Sequence, residues 1–319
     1  MKRIKIDFCD GMTTDFFTDL LKTRYDVVRT DKPDYLFYSV FGNAHHRFGG
    51  IRIFWTGENV VPNFNYCDYA FGFHHLDFGD RYFRLPLWRL YGPALALAQE
   101  KHLRLSDTEL LDRKFCSFVV SNTKQTDGKR EELFERLSAY KPVASGGRYR
   151  NNVGGPVADK IAFQSGYKFA LACENTYCPG YTTEKILDAF ASGCVPVYYG
   201  DPLAARDFNP DAFISAHDFA TTDALIEHIK KIDADDALYL RLMRAPVFKD
   251  GKMPDALTDD RILDFLSAIF DQPLESARRR FFVKPYLDVD YDAVKMRDAK
   301  GILKALCARS LRKLFKKTG

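Results

Sequence analysis

Glu58 lies in FWTGENVVPNFN, where the apolar run IRIFW breaks into a turn. A carboxylate at the end of a buried strand must be solvated, paired with a neighbour such as Arg52, or used. Used as a general base, it would take a proton from an attacking hydroxyl. A second chemical cluster lies in YKFALACENTYCPGYTTEKILDAFASGCVPVYYGDP, residues 167–202. It reads as a strand ending at Glu174 and Asn175, a Pro179-Gly180 turn, and a Thr-capped helix with Glu184 and Lys185 in its first turn. Gly193 then serves as C-cap, and a β-branched strand ends at Gly200. A first helical turn offers unpaired backbone amides and the positive end of the dipole, which suit a diphosphate, and Lys185 adds a cation. Glu184 is there either as a ligand contact or as a carboxylate that the dipole favours.

Other chemistry is poorly supported by spacing. Two DxD strings, Asp233 with Asp235 and Asp288 with Asp290, do not follow a strand in this second region, so they read as capping or surface carboxylates rather than metal ligands. The pairs His45-His46 and His74-His75 are adjacent, and neighbours in a helix or strand do not converge on one ion. Seven scattered cysteines with no CxxC pair suit buried free thiols in a reducing compartment. The SGGRYRNN segment lacks the spacing of a phosphate-loop fingerprint, leaving Arg148 and Arg150 as accessory contacts at most.

The elements that must carry these residues alternate. IKIDFCD reads as a strand, TTDFFTDLLKTRY as a helix capped by Thr13 or Thr14, and PDYLFYSV and IRIFWTG as strands. Residues 62–100, rich in aromatics and punctuated by Pro62 and Pro86, read as an irregular loop and strand region along a cleft. A second cycle follows RLSDTELLDRK: strand KFCSFVVSN, helix GKREELFERLSAY, strand KPVASGG, then the strand, helix and strand of residues 167–202 and the helix TTDALIEHIKKI. Strand and helix in alternation imply parallel sheets, here two Rossmann-like halves with a boundary near residue 105. The chain of 319 residues with 46% apolar content is long enough for both. Its net charge of +4 gives no general reason to bind nucleic acid.

The ordered elements EN, Y-x-TEK and VPV-x-x-G in residues 174–200 resemble the nucleotide-sugar signature of the bacterial α-1,3/1,4-fucosyltransferase family, which uses GDP-fucose. The likeness extends to FWTGENVVPNF, DYAFGF, DRYFRLPLW and FCSFVVSN with Arg130, and so to roughly residues 50–220. It implies a GT-B fold, with acceptor on the N-terminal side of a cleft and donor on the C-terminal side. Residue by residue, Glu58 matches the family's catalytic base, Arg130 and Lys185 its contacts to the donor diphosphate, and Asn175, Tyr181 and Glu184 further donor contacts. No cofactor is implied beyond the donor substrate, and a divalent metal at most stimulates. The His74-His75 pair departs from the acidic residues that relatives carry there, which bears on acceptor preference. The heptad repeats that many bacterial members place before a basic tail are missing.

These expectations amount to an inverting transferase moving L-fucose to a hydroxyl, O3 of GlcNAc or glucose, on an N-acetyllactosamine or lactose-type oligosaccharide or glycolipid. The alternatives are a GT-B transferase for another nucleotide sugar and a non-catalytic nucleotide or membrane-surface binding protein. Three regions are expected: acceptor domain 1–105, donor domain 106–265, and helical tail 266–319. In KGILKALCARSLRKLFKKTG a leucine stripe opposes a basic face, giving a helix that either packs on the body or meets anionic lipid. Without a signal-like or membrane-spanning run, the chain reads as cytoplasmic, at most peripheral on the inner membrane face.

Overall fold

In the computed structural model, residues 1–280 are described except 13, 102 and 122–125. The first sheet collects β1 (Lys2–Cys9), β2 (Tyr25–Arg29), β3 (Tyr35–Tyr38), β4 (Ile51–Phe54), β5 (Tyr69–Gly72) and β6 (Tyr82–Arg84), with helix α1 (Asp15–Lys22) between β1 and β2. Its order is β2-β1-β3-β4-β5-β6. All its ladders are parallel, with Ile6 opposite Tyr35 and Tyr35 opposite Ile51. Strands β3, β4 and β5 are buried at every position, which explains their unbroken apolar runs.

Two details depart from the sequence reading. Helix α1 stops at Lys22, and Tyr25 opens β2 instead of closing the helix, because Thr23 ties its hydroxyl to the Leu20 carbonyl and the β-branched pair Val27-Val28 favours extension. The stretch 62–100, read as loop and strand, holds two strands, β5 and β6, each too short to show a period, and ends in a helix over Gly92–Gln99 that is absent from that reading.

The second sheet follows helices α2 (Gly92–Gln99) and α3 (Asp107–Leu111). It continues with β7 (Lys114–Phe118), α4 (Lys129–Ser138), β8 (Val143–Ser145), α5 (Lys160–Gln164), β9 (Tyr167–Cys173), α6 (Glu184–Ala191), β10 (Val195–Tyr199) and β11 (Ile214–Ser215). Helices α7 (Thr222–Asp233), α8 (Asp236–Arg244), α9 (Asp259–Phe270) and α10 (Leu274–Ala277) complete the described chain. The order β11-β10-β9-β7-β8 is again fully parallel. Beyond β8 the chain crosses back past β7, so a topological switch point opens between the carboxyl ends of β7 and β9, where ligands of such sheets bind.

The helices do not respect the boundaries expected at residues 105 and 265. Ala94, Leu95 and Ala98 of α2 pack with Ile186 and Phe190 of α6 on the second sheet. Ile262, Leu263, Leu266, Ile269 and Phe270 of α9 return to the core of the first sheet, against Ile4, Ile6 and Tyr35. Arg24 of the first half adds a bond to Asp264. Each crossing is driven by an apolar helix face that finds its complement on the other sheet. Residues 1–278 accordingly form one compact unit. The expected basic helix lies outside the described residues, and no described helix is long and apolar enough to cross a membrane.

Candidate active site between two sheet edges

The carboxyl ends of the two sheets meet. Beyond β4 the chain turns through Thr56, whose hydroxyl accepts from the Glu58 backbone N–H at 3.1 Å. The Glu58 side chain is exposed and makes no hydrogen bond or ion pair among the described residues. Arg52 is not its partner: that guanidinium donates to the carbonyls of His46, Phe48 and Tyr66, holding the β3–β4 connection. Of the three fates open to Glu58, pairing with Arg52 is therefore excluded.

Facing it are the residues after β9. Glu174 is fully buried and accepts from the Thr183 backbone N–H at 2.8 Å, the Thr183 hydroxyl, and the Lys185 Nζ at 2.9 Å. Lys185 also donates to Thr183 Oγ1 at 3.0 Å and lies 3.8 Å from Glu184. Burial alone would lower the Lys185 pKa, but Glu174 and Glu184 overcome it and raise it, so the ammonium is held charged. Burial likewise pushes the Glu184 carboxyl up, and Lys185 with Lys160 outweighs this and lowers it. The cation expected at this helix start thus comes with a buried counter-ion that sequence spacing did not single out.

The switch point is bridged directly. Arg130, buried on the first turn of α4, donates through Nη1 to Asn175 Oδ1 at 2.7 Å and through Nε to Glu131 at 3.1 Å. Gly180 takes φ +89°, and its N–H donates to Asp201 at 2.7 Å, as does the Thr182 hydroxyl. A side chain at Gly180 would start 2.7 Å from the Phe73 carbonyl, so only glycine allows this turn to touch the first half. Tyr181 follows, buried, with its hydroxyl donating to the Gly57 carbonyl at 3.2 Å, one residue from Glu58. Asn59 makes a parallel link to Thr176 at 3.1 Å.

All six residues singled out in the sequence therefore lie at these apposed edges, Glu58 on one side and Arg130, Asn175, Tyr181, Glu184 and Lys185 on the other. Sequence reasoning left out Glu174, Thr183 and Asp201, although the carboxylate that ends a strand before a Thr-Thr-Glu helix start was the available signal. Of the two DxD strings, Asp235 caps α8 as expected, whereas Asp233 is buried and accepts from Tyr140 and Lys141 instead of standing at the surface or at a cap; Asp288 and Asp290 lie outside the described residues. Among the described residues no group of three His, Cys, Asp or Glu side chains could hold a metal ion. A cavity of about 710 Å³ at the opposite end of the second sheet is lined by Arg104, Arg113 and Lys114. There the two arginines donate to the carbonyls of Ala191 and Gly193, capping the negative end of α6, a poor setting for a diphosphate.

Comparison with known proteins agrees with this geometry. Residues 4–91 match the model of the α-(1,3)-fucosyltransferase FucT N-terminal domain, and residues 112–244 that of the glycosyltransferase family 10 (fucosyltransferase) C-terminal region. An α-(1,3)-fucosyltransferase FucT of Helicobacter pylori is 37% identical over 293 residues, 79% of this chain and 61% of that protein. The human 3-galactosyl-N-acetylglucosaminide 4-α-L-fucosyltransferase FUT3 is 33% identical over 61% of this chain and 54% of its own. The chain thus spans about three fifths or less of these relatives. A crystal structure of an α1,3-fucosyltransferase superposes with a TM-score of 0.76 at 32% identity, covering 88% of this chain and 93% of that one. Its form with GDP-fucose gives 0.73, covering 85% and 92%. The paired parallel sheets, their facing edges and these matches together show that the chain belongs to the α-1,3-fucosyltransferase family and has its GT-B fold.

Proposed function

We propose that the chain transfers L-fucose from GDP-fucose, with inversion, to a hydroxyl of an N-acetyllactosamine or lactose-type glycan, with O3 of GlcNAc or glucose as the acceptor position. The observation that carries this reading is the placement of an exposed carboxylate, Glu58, across from a charged cluster built on Arg130, Asn175 and Lys185. Glu58 takes the proton of the acceptor hydroxyl as its oxygen bonds to the fucose anomeric carbon and the bond to the β-phosphate breaks. Arg130, Lys185 and the amides at the start of α6 meet the charge that gathers on the departing phosphate. Tyr181, Asn175 and Glu184 complete the donor side. The reaction needs no covalent intermediate, and the protein's own cations take the place of a metal beneath the diphosphate, so turnover should persist in excess EDTA.

A tail helix meeting an anionic membrane surface rests on its sequence pattern alone.

Glu58→Gln tests the reading, because the amide keeps the shape and cannot take a proton. Single-turnover transfer from GDP-fucose should slow by about 100- to 10,000-fold while GDP affinity stays near wild type. Transfer within a few fold of wild type would remove Glu58 from the role of base. Activity with UDP- or ADP-sugars in place of GDP-fucose would change the donor.

A further inference from the structure

Between the two sheet edges lies a buried ion pair that the transfer chemistry does not use. Arg84 ends β6, and its guanidinium donates through Nη1 and Nη2 to the two oxygens of Asp207, at 2.8 and 2.7 Å. Its Nε donates to the Phe73 carbonyl at 2.9 Å. Asp207 belongs to the second half, following β10, and also accepts from the fully buried Trp88 indole at 3.2 Å. The side chains of Arg84 and Asp207 are 16% and 4% exposed.

What the pair holds is the Phe73 segment. The Phe73 carbonyl faces the Gly180 turn, and its ring packs edge-on against Tyr181 with centroids 4.7 Å apart. Tyr181 in turn donates to Gly57, next to Glu58. A line of direct contacts therefore runs Asp207, Arg84, Phe73, Tyr181, Gly57, and ends beside the carboxylate. A fork-shaped donor set on three acceptors from two halves fixes orientation as well as distance, which a single ammonium cannot do.

We propose that Arg84 and Asp207 form a positioning pair that sets where Glu58 stands relative to the donor loop. This rests on the reading of Glu58 as the base. Neither residue touches the reacting atoms, and neither bonds to Arg130, Asn175 or Lys185; of the donor-side residues only Tyr181 lies on the line, through its ring and its bond to Gly57. Loosening the pair should thus slow the chemical step without weakening the nucleotide site, since misplacement of a catalytic group by about 1 Å costs on the order of 100-fold.

The test is a double-mutant cycle on the full chain, with single-turnover transfer, GDP titration and thermal melting read on the same preparations. Arg84→Lys keeps the charge and breaks the fork; Asp207→Asn keeps the shape and removes the charge. Each should lower the transfer rate by about 10- to 100-fold and leave GDP affinity within about twofold. In a Glu58→Gln background the same changes should cost less than about threefold, because the group they position is gone. Equal losses in both backgrounds, or loss of GDP binding in parallel with transfer, would overturn the assignment and leave a structural staple. So would failure of both variants to fold. If Glu58→Gln alone leaves transfer intact, the base reading fails first, and that single variant reports it separately.

Discussion

Lys185 reaches the carboxyl edge of the second sheet with its charge already answered. Two of its three N–H groups go to Glu174 and Thr183, and the 21% of the side chain left exposed is what a phosphate oxygen can meet. Removing the lysine therefore does two things. Lys185→Ala should weaken GDP binding by about 1.5 to 3 kcal/mol, the scale of a charge-assisted contact. It also strands the buried Glu174 carboxylate, which costs about 3 to 5 kcal/mol of stability when a buried pair is broken. Adding Glu174→Gln to Lys185→Ala should restore much of the melting temperature and none of the GDP affinity. Calorimetric titration and melting of both variants check this, and recovery of affinity in the double variant would show that Lys185 acts only through Glu174. Arg130→Ala should weaken GDP by a similar amount. Glu184 and Lys185 were legible because a helix start has a local signature, whereas Asp207 was not, since its partners Arg84 and Trp88 stand more than a hundred positions away.

At the scale of elements, the β3–β4 connection shows how little of its stability is local. His45 is 3% exposed, donates its Nδ1–H to the Asp10 carboxylate at 2.6 Å, and stacks on Tyr38 at 3.9 Å. Burial lowers its pKa from 6.5 to about 4, outweighing the Asp10 hydrogen bond that works the other way. As pH falls through 6.5 the unfolded chain takes up a proton that the folded chain refuses until about 4. Stability from this site is therefore whole above 6.5 and is lost progressively toward about 4. Asp10 is lowered too, by its bonds to His45 and Ala44 against the push of burial, so its contribution is lost at the acid end of that window and beyond. Thermal melts across this range should fall steeply for the wild type and less steeply for His45→Gln; parallel curves would refute the assignment. The pair at 45 and 46 was legible only as two adjacent imidazoles. Its bond to Asp10 could not be read, because strand order alone brings the ends of β1 and β3 together. Strands β5 and β6 fall in the stretch read as loop and strand but could not be placed within it, for the opposite reason: four and three residues leave no period to see.

Over the whole molecule, two parallel sheets, their order of elements and their facing edges follow from alternating strand and helix patterns, and most of that pattern was legible. Which helix covers which sheet was not, because an amphipathic face says that it must be buried and not where. Leu266 is fully buried in the core of the first sheet although it comes last in the described order of that core but for α9's final turn and Ala277. Leu266→Ala should cost about 2 to 5 kcal/mol in denaturant melts. If α9 were only an appendage of the donor half, the same change would leave the first half unperturbed, and hydrogen exchange in β1 and β2 distinguishes the two outcomes.

The return of α9 to the first sheet also has a bearing on how the chain is made. A ribosome delivers Ile4, Ile6 and Tyr35 long before it delivers Ile262 or Phe270, which cover them. Until then the opening half must wait with part of that apolar face covered only by Phe17, Leu20 and Leu21 of α1, through the emergence of the entire second sheet. Its early strands are therefore the nascent segment with the longest need for a chaperone, and a chain cut short before residue 259 would carry a complete second sheet beside a first that cannot close.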